Sequence, residues 1–159
     1  MLIINVAMVS SKSHIPIHTI GKAAKKLSVS VQTLRLYERE GLIIPFKTPG
    51  NQRMYSDEDI DRLQCIRTMI NRDKISIGGM KKLQGMVPCW DIIKCSDNER
   101  NNCSAFNKHT GGCWTYEHTH SICATKECRL CEVYKLSSNC EQIKELIVRT
   151  SLARQPEPE

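Results

Sequence analysis

The chain has 159 residues, room for one ordinary domain or two small ones, and its 23 Lys+Arg against 17 Asp+Glu leave a net charge of +6 that suits a polyanionic partner. No run of 18 apolar residues exists to span a membrane, and the apolar start, Met1 to Met8, is short and has no basic region before it, so no export signal is expected.

Taken in chain order, the first periodic segment is Ile20-Gly-Lys-Ala-Ala-Lys-Lys-Leu27, preceded by Thr19. Its apolar Ile20, Ala23, Ala24 and Leu27 mark one stripe of a helix. Ser28-Val-Ser30 interrupts it, and Ser30 is placed to accept a hydrogen bond from the first free amides of a second helix through Val31, Leu34 and Glu38. Gly41 ends that helix. Two short helices joined by a tight Ser-containing turn read as a helix-turn-helix whose second helix enters the DNA major groove, with Arg35 and Tyr37 expected on its exposed side.

From Leu42 to Tyr55 two short extended runs flank Lys47-Thr-Pro-Gly-Asn-Gln52, where Pro49-Gly50 signals a turn. This is the pattern of a wing: Lys47, Asn51 and Arg53 are expected to reach phosphates, and Tyr55 to hydrogen-bond or stack against sugar. Ser56 followed by Asp57-Glu58-Asp59 supplies an N-cap and the acidic residues that suit a helix N-terminus. The third helix should carry Ile60, Leu63, Ile66 and Ile70 inward, and Ser76 should cap a fourth through Met80 and Leu83. Charge agrees: residues 1–87 hold 14 Lys+Arg and 7 Asp+Glu, a net +7, whereas residues 88–159 hold 9 and 10, a net −1. The phosphate-binding face therefore belongs to the front half.

The elements Arg35-x-Tyr-Glu38, Gly41-Leu-Ile-x-Pro45 and Arg53-x-Tyr-Ser-Asp-x-Asp-Ile60 resemble the MerR family of bacterial transcription regulators, over Thr19 to Leu83. The Thr-Pro-Gly-Asn-Gln-Arg wing is more similar to the heat-shock repressor branch than to the mercury-responsive one. The resemblance implies DNA contacts from Thr33, Arg35 and Tyr37 on the recognition helix and from Asn51, Arg53 and Tyr55 on the wing. It further implies a cytoplasmic, nucleoid-associated protein, an inverted-repeat operator in double-stranded DNA read by a homodimer, and RNA polymerase as a further candidate partner. The sequence departs from the family where a long dimerisation helix usually follows. Pro88 and Cys89 come soon after the fourth helix, so a dimer must use the third and fourth helices, the cysteine-rich region or the chain's last helix.

That region is lopsided in composition. Cys65 sits in the third helix, then Cys89, Cys95, Cys103, Cys113, Cys123, Cys128, Cys131 and Cys140 crowd a window of 52 residues. A DNA-binding protein in a reducing compartment makes poor use of structural disulfides, so metal or redox chemistry is expected. Thiolates suit zinc, iron–sulfur clusters or copper in its lower oxidation state. Cys128-Arg-Leu-Cys131 is the tight pair that commonly supplies half of a four-ligand site. Cys89-Trp90 with Cys95 and Cys103 is echoed by Cys113-Trp114 with Cys123, Cys128 and Cys131, which resembles a small bacterial cysteine-rich module with two Cys-Trp dipeptides. These seven cysteines are the expected ligands. Few aliphatic side chains lie in the window, so a bound metal would supply the missing folding free energy, with Trp90, Trp114, Tyr116 and Tyr134 packed around it. Between Cys95 and Ser121 the chain reads as polar loop. Imidazole can replace a thiolate in zinc or Rieske-type iron coordination, but His109, His118 and His120 are expected as solvent-exposed polar groups and Cys65 as a small buried side chain; Cys140, open as a further ligand, opens or precedes a last helix through Ile143, Leu146 and Ile147.

The expected fold is α-rich: an N-terminal extension (1–16), a winged helix-turn-helix (17–87), a small loop-rich, metal-stabilised cysteine module (88–137) and a short C-terminal helix with a frayed tail (138–159). No Cys/His/acid grouping has nucleophile–base spacing, and no Gly-rich phosphate loop stands out, so an enzyme is not expected. Three functions remain open: a regulator whose module senses metal, redox state or oxygen through a metal or iron–sulfur cluster; a regulator with purely structural zinc; and a redox protein fused to a DNA-targeting domain.

Overall fold

The architecture is that of a computed structural model whose described residues are 13–108 and 110–137. His109, Cys140 and the last helix expected at 138–148 lie outside them. Helix α1 (Ile20–Leu27) is capped by the Thr19 hydroxyl, which accepts from the Lys22 amide at 3.4 Å. It stops at Ser28 in the left-handed conformation, and Ser30 then caps α2 (Val31–Arg39) by accepting from the Thr33 amide at 3.0 Å. Ala23, Ala24, Leu27 and Leu34 bury the faces of this helix pair against one another. A three-stranded antiparallel sheet in the order β1-β3-β2 forms the wing from β1 (His18–Thr19), β2 (Phe46–Lys47) and β3 (Arg53–Tyr55), with Lys47 opposite Arg53 and His18 opposite Tyr55.

The hairpin turn closes through the Asn51 amide donating to the Thr48 carbonyl at 2.8 Å. Asn51, with φ of 59°, takes the left-handed position of a turn-plus-bulge connection. Helix α3 (Asp57–Asn71) opens on a reciprocal capping box between Ser56 and Asp59, and α4 (Ile77–Gly85) on Ser76. Leu63, Ile66 and Met80 join the helix-turn-helix core, with Ile60 and Ile70 partly buried against it.

The cysteine-rich half is more helical than its composition suggests. Short helices α5 (Cys89–Ile93), α6 (Asp97–Asn101) and α7 (Ser104–Lys108) follow one another, and single 3₁₀ turns at Cys113–Thr115, Ile122–Thr125 and Cys128–Leu130 lead on to α8 (Glu132–Leu136). The expected loop from Cys95 to Ser121 is thus corrected over α6 and α7. Ser96 and Glu99 form a second capping box that offsets the weak propensity of an Asn-rich turn. Its buried apolar side chains, Ala105, Val133 and the Tyr134 ring, are few, as the composition implies. No helix among the described residues is long and apolar enough to cross a membrane.

Candidate nucleic-acid interface and thiol cluster

Helix α2 presents Gln32, Arg35 and Arg39 to solvent at positions i, i+3 and i+7, so the three share one face. Sequence reasoning picked out Arg35 and passed over Gln32 and Arg39, although their spacing was visible. Thr33 sits half-buried at the start of the helix, where its hydroxyl and that of Ser30 are 2.9 Å apart. At the wing tip Asn51 is exposed.

Lys47 and Arg53 meet on one carboxylate, that of Glu38 on the recognition helix. Lys47 Nζ lies 3.2 Å from Glu38 Oε1, and Arg53 Nε donates to Oε2. Burial alone would raise the Glu38 pKa, but the hydrogen bonds from Arg53 and Lys47 outweigh it and hold the carboxyl below its ordinary value. The pair ties wing to helix.

Two expected contacts are corrected. Tyr37 is not on the exposed side: it is 6 % exposed and belongs to the core, and burial raises its phenol pKa. Tyr55 is 0 % exposed, and its hydroxyl has no hydrogen-bond partner among the described residues. Burial is the main cause that pushes Tyr55 up to about 12, and the Glu38 charge adds to it. Both rings belong to the buried core of the helix-turn-helix, where a large amphipathic side chain contributes by packing. They hold up the surface and are not part of it.

The seven expected ligands Cys89, Cys95, Cys103, Cys113, Cys123, Cys128 and Cys131 are half-buried free thiols. Cys89 and Cys113 share a side-chain hydrogen bond, which lowers the Cys89 pKa and raises that of Cys113, the donor. Cys113 also feels Cys131 and Cys123, and Cys123, pushed up to about 12 chiefly by burial, feels Cys95, Cys131, Cys89 and Cys103. Cys128 is raised by burial and then by its neighbour Cys131. The topology thus gathers the two halves of the repeat toward one place, with Cys128 at its margin. Among the described residues no three His, Cys, Asp or Glu side chains stand at the mutual spacing of a formed metal site.

His118, expected as a solvent-exposed group, is half-buried between two cysteines. Its Nδ1 is 3.8 Å from Cys103 Sγ and its Nε2 is 2.9 Å from the Cys113 carbonyl. Cys65, expected as a small buried side chain, is half-buried and disulfide-bonded.

The aromatic residues expected to surround a metal divide their tasks. Trp90 packs edge-on against Phe106 and the Tyr116 hydroxyl accepts from the Thr110 amide at 3.1 Å, whereas Trp114 and Tyr134 leave the module to dock on the helix-turn-helix. Trp114 Nε1 donates to the Gly41 carbonyl at 2.8 Å, and the Ile44 amide donates to the Tyr134 hydroxyl at 2.8 Å. Arg129 donates to the Ile44 carbonyl and, at 2.9 Å, to Asp59. Arg62 of α3 is 1 % exposed and lies 3.6 Å from the Tyr134 ring centroid. Its Nη2 donates to the Tyr134 carbonyl and, at 2.9 Å, to the Ser137 hydroxyl. No sequence pattern pointed to Arg62 or Arg129, because a cation in a helix normally signals solvent.

A capped helix pair, an exposed polar and cationic face on the second helix, and a wing strapped to that helix define a winged helix-turn-helix of the DNA-binding class. Residues 18–85 match the family described as MerR HTH family regulatory protein, so the chain carries a MerR-family helix-turn-helix domain. Over 65 residues it is 46% identical to the HTH-type transcriptional regulator ZntR homolog of Haemophilus influenzae, covering 40% of this chain and 47% of that protein. It is 40% identical over 79 residues to the mercuric resistance operon regulatory protein of Bacillus cereus, covering 49% and 58%. A Streptomyces coelicolor protein carrying the heat-shock name HspR is 35% identical over 68 residues, covering 43% and 45%. The chain therefore spans about half the length of the curated relatives it matches, and identity does not single out the heat-shock branch. No solved structure matches the chain.

Proposed function

We propose that the protein is a transcription regulator that grips an inverted-repeat operator as a homodimer through Thr33, Arg35, Lys47, Asn51 and Arg53, with Gln32 and Arg39 added on the same helix face. Its cysteine module holds a thiophilic metal or an iron–sulfur cluster and senses metal, redox state or oxygen. The observation that carries this reading is the gathering of the thiols from both halves of the repeat in a module docked on the turn that ends the recognition helix. Half-buried thiols packed together disfavour the thiolate form, as at Cys113 and Cys123, and a soft cation reverses that balance by taking the place of the protons. Cys89, Cys113, Cys123 and Cys131 are the residues that would hold it, with Cys95, Cys103, Cys128 and His118 around them. Such a group would supply exchangeable thiolate coordination or one-electron chemistry.

A second reading, structural zinc alone, is favoured by the small apolar core of the module. Zinc would then provide folding free energy and no signal.

Anaerobic purification with visible absorption and elemental analysis, followed by anisotropy titration against DNA selected from a random pool, tests both. A coloured protein, or bound metal whose removal changes operator affinity, supports sensing. Bound zinc in a colourless protein whose chelation unfolds the module, with operator affinity otherwise unresponsive, supports the structural reading. Replacing both Cys128 and Cys131 by Ser should lower the metal content, and an unchanged stoichiometry would remove that pair from the site.

A further inference from the structure

Three side chains fasten the module to the helix-turn-helix, two of them next to a thiol in the chain and the third one helical turn beyond another. Trp114 follows Cys113 and holds the Gly41 carbonyl. Arg129 follows Cys128 and holds the Ile44 carbonyl and Asp59. Tyr134 lies one helical turn beyond Cys131, with the Ile44 amide on its hydroxyl and the buried Arg62 against its ring. Gly41 to Ile44 is the segment that leaves α2. Its Leu42 and Ile43 are fully buried in the domain core, so this turn cannot shift without carrying the end of the recognition helix.

We propose that these three anchors form the route by which the state of the thiols reaches the DNA-reading helix within a single chain, independently of any dimerisation helix. The inference rests on the reading of the module as a thiol sensor. Its mechanical basis is the absence of slack along the route. The Trp114 ring lies so close over Gly112 that a Cβ there would fall 2.3 Å from the ring. Gly41, at φ of 75°, faces Thr115, whose Cγ2 would be 2.5 Å from a Cβ at that position. Glycine at both points lets the two backbones meet, and close-packed contacts transmit displacement where loose ones absorb it. Gathering Cys113 and Cys131 around a cation requires each to lose its proton and reorient, and Cys128, whose carbonyl accepts the Cys131 amide at 3.1 Å, follows. Cys113 must also give up its bond to Cys89. Trp114, Arg129 and Tyr134 then move with them.

The test uses the full-length reduced chain, zinc chloride as the probe, and amide hydrogen exchange read by mass spectrometry over residues 31–45, with zinc content measured on the same samples. In the wild type, zinc should change exchange in that segment by roughly five-fold or more, the scale set by one hydrogen bond made or lost. Gly112→Ala suits the test because its backbone, φ −58° and ψ 147°, accepts alanine and the three atoms nearest a Cβ there all belong to the Trp114 ring. Gly112→Ala and Trp114→Phe should bind zinc at the wild-type stoichiometry and lose the exchange response. Tyr134→Phe, which deletes only a hydroxyl, replaces any variant that fails to fold. Variants that bind zinc and keep the full response would overturn the route while leaving the sensor reading intact. Wild-type protein that binds zinc with no change in residues 31–45 would overturn both, and a wild type that binds no zinc would do the same for this metal.

Discussion

Truncating Arg62 probes the seam most directly. Its guanidinium is 1 % exposed, donates from Nη2 to the Tyr134 carbonyl and to Ser137 Oγ at 2.9 Å, and stacks 3.6 Å from the Tyr134 ring centroid. Charged hydrogen bonds contribute about 1.5–3 kcal/mol each and a desolvated cation–π contact about 2 kcal/mol. Against that stands a desolvation penalty of several kcal/mol for the buried cation. Truncation does not orphan the Tyr134 carbonyl, because the Ser137 hydroxyl donates to it at 2.8 Å. Adding the space left by the lost stem, Arg62→Ala should cost about 2–4 kcal/mol. Arg62→Met fills the same space without burying charge and should cost less than about 1.5 kcal/mol. Urea unfolding of the full chain, followed by circular dichroism and tryptophan fluorescence, measures both. A cost below about 0.5 kcal/mol for Arg62→Ala, the ordinary value for an open surface residue, would refute the seam as a packed interface.

Arg35→Ala should weaken binding to selected operator DNA by roughly 1–3 kcal/mol if Arg35 touches a base, or flatten the salt dependence by about one unit of slope if it touches phosphate; anisotropy titrations at several salt concentrations that match wild type would remove it from the interface. Ser56→Ala deletes the hydroxyl that accepts the Asp59 amide at 3.1 Å, and should cost about 1 kcal/mol in thermal or urea unfolding. Glu38 has a depressed pKa in the fold, so its stabilisation is complete above the ordinary carboxylate value of 4.5 and is lost as pH falls through the lower folded value. The melting temperature of wild type should therefore drop more steeply than that of Glu38→Gln below that pH, and parallel profiles would show that the wing strap contributes nothing.

Local signals told the truth about the front half. Thr19, Ser30, Ser56 and Ser76 each cap the helix they precede, because a hydroxyl beside free amides is a short-range arrangement written in adjacent residues. Tyr37 and Tyr55 misled for the opposite reason. A tyrosine two residues after an arginine looks like a surface contact, and only tertiary packing decides that its ring goes inward. The Ser96–Glu99 capping box was as plain as that of Ser56, yet the surrounding Asn and Asp residues hid α6. The seam was illegible, since Trp114 meets Gly41 across 73 positions, Arg129 meets Asp59 across 70 and Arg62 meets Ser137 across 75. Such pairings are set by tertiary closure, and a single sequence carries no local trace of them.

The contacts on α2 also constrain how the domain can respond. Near its exposed face, Glu38 strings Lys47 and Arg53 to the helix, so two of the wing's cations follow its position. At its end, Gly41 and Ile44 are held by Trp114, Arg129 and Tyr134 of the module. Helix, wing and module are joined in series through one nine-residue helix. On the proposed route, a displacement at its C-terminal turn should alter the angle of Arg35 and the reach of the wing together. In this arrangement graded weakening of single contacts is harder to produce than a change in the whole grip, as expected of packed elements with discrete arrangements.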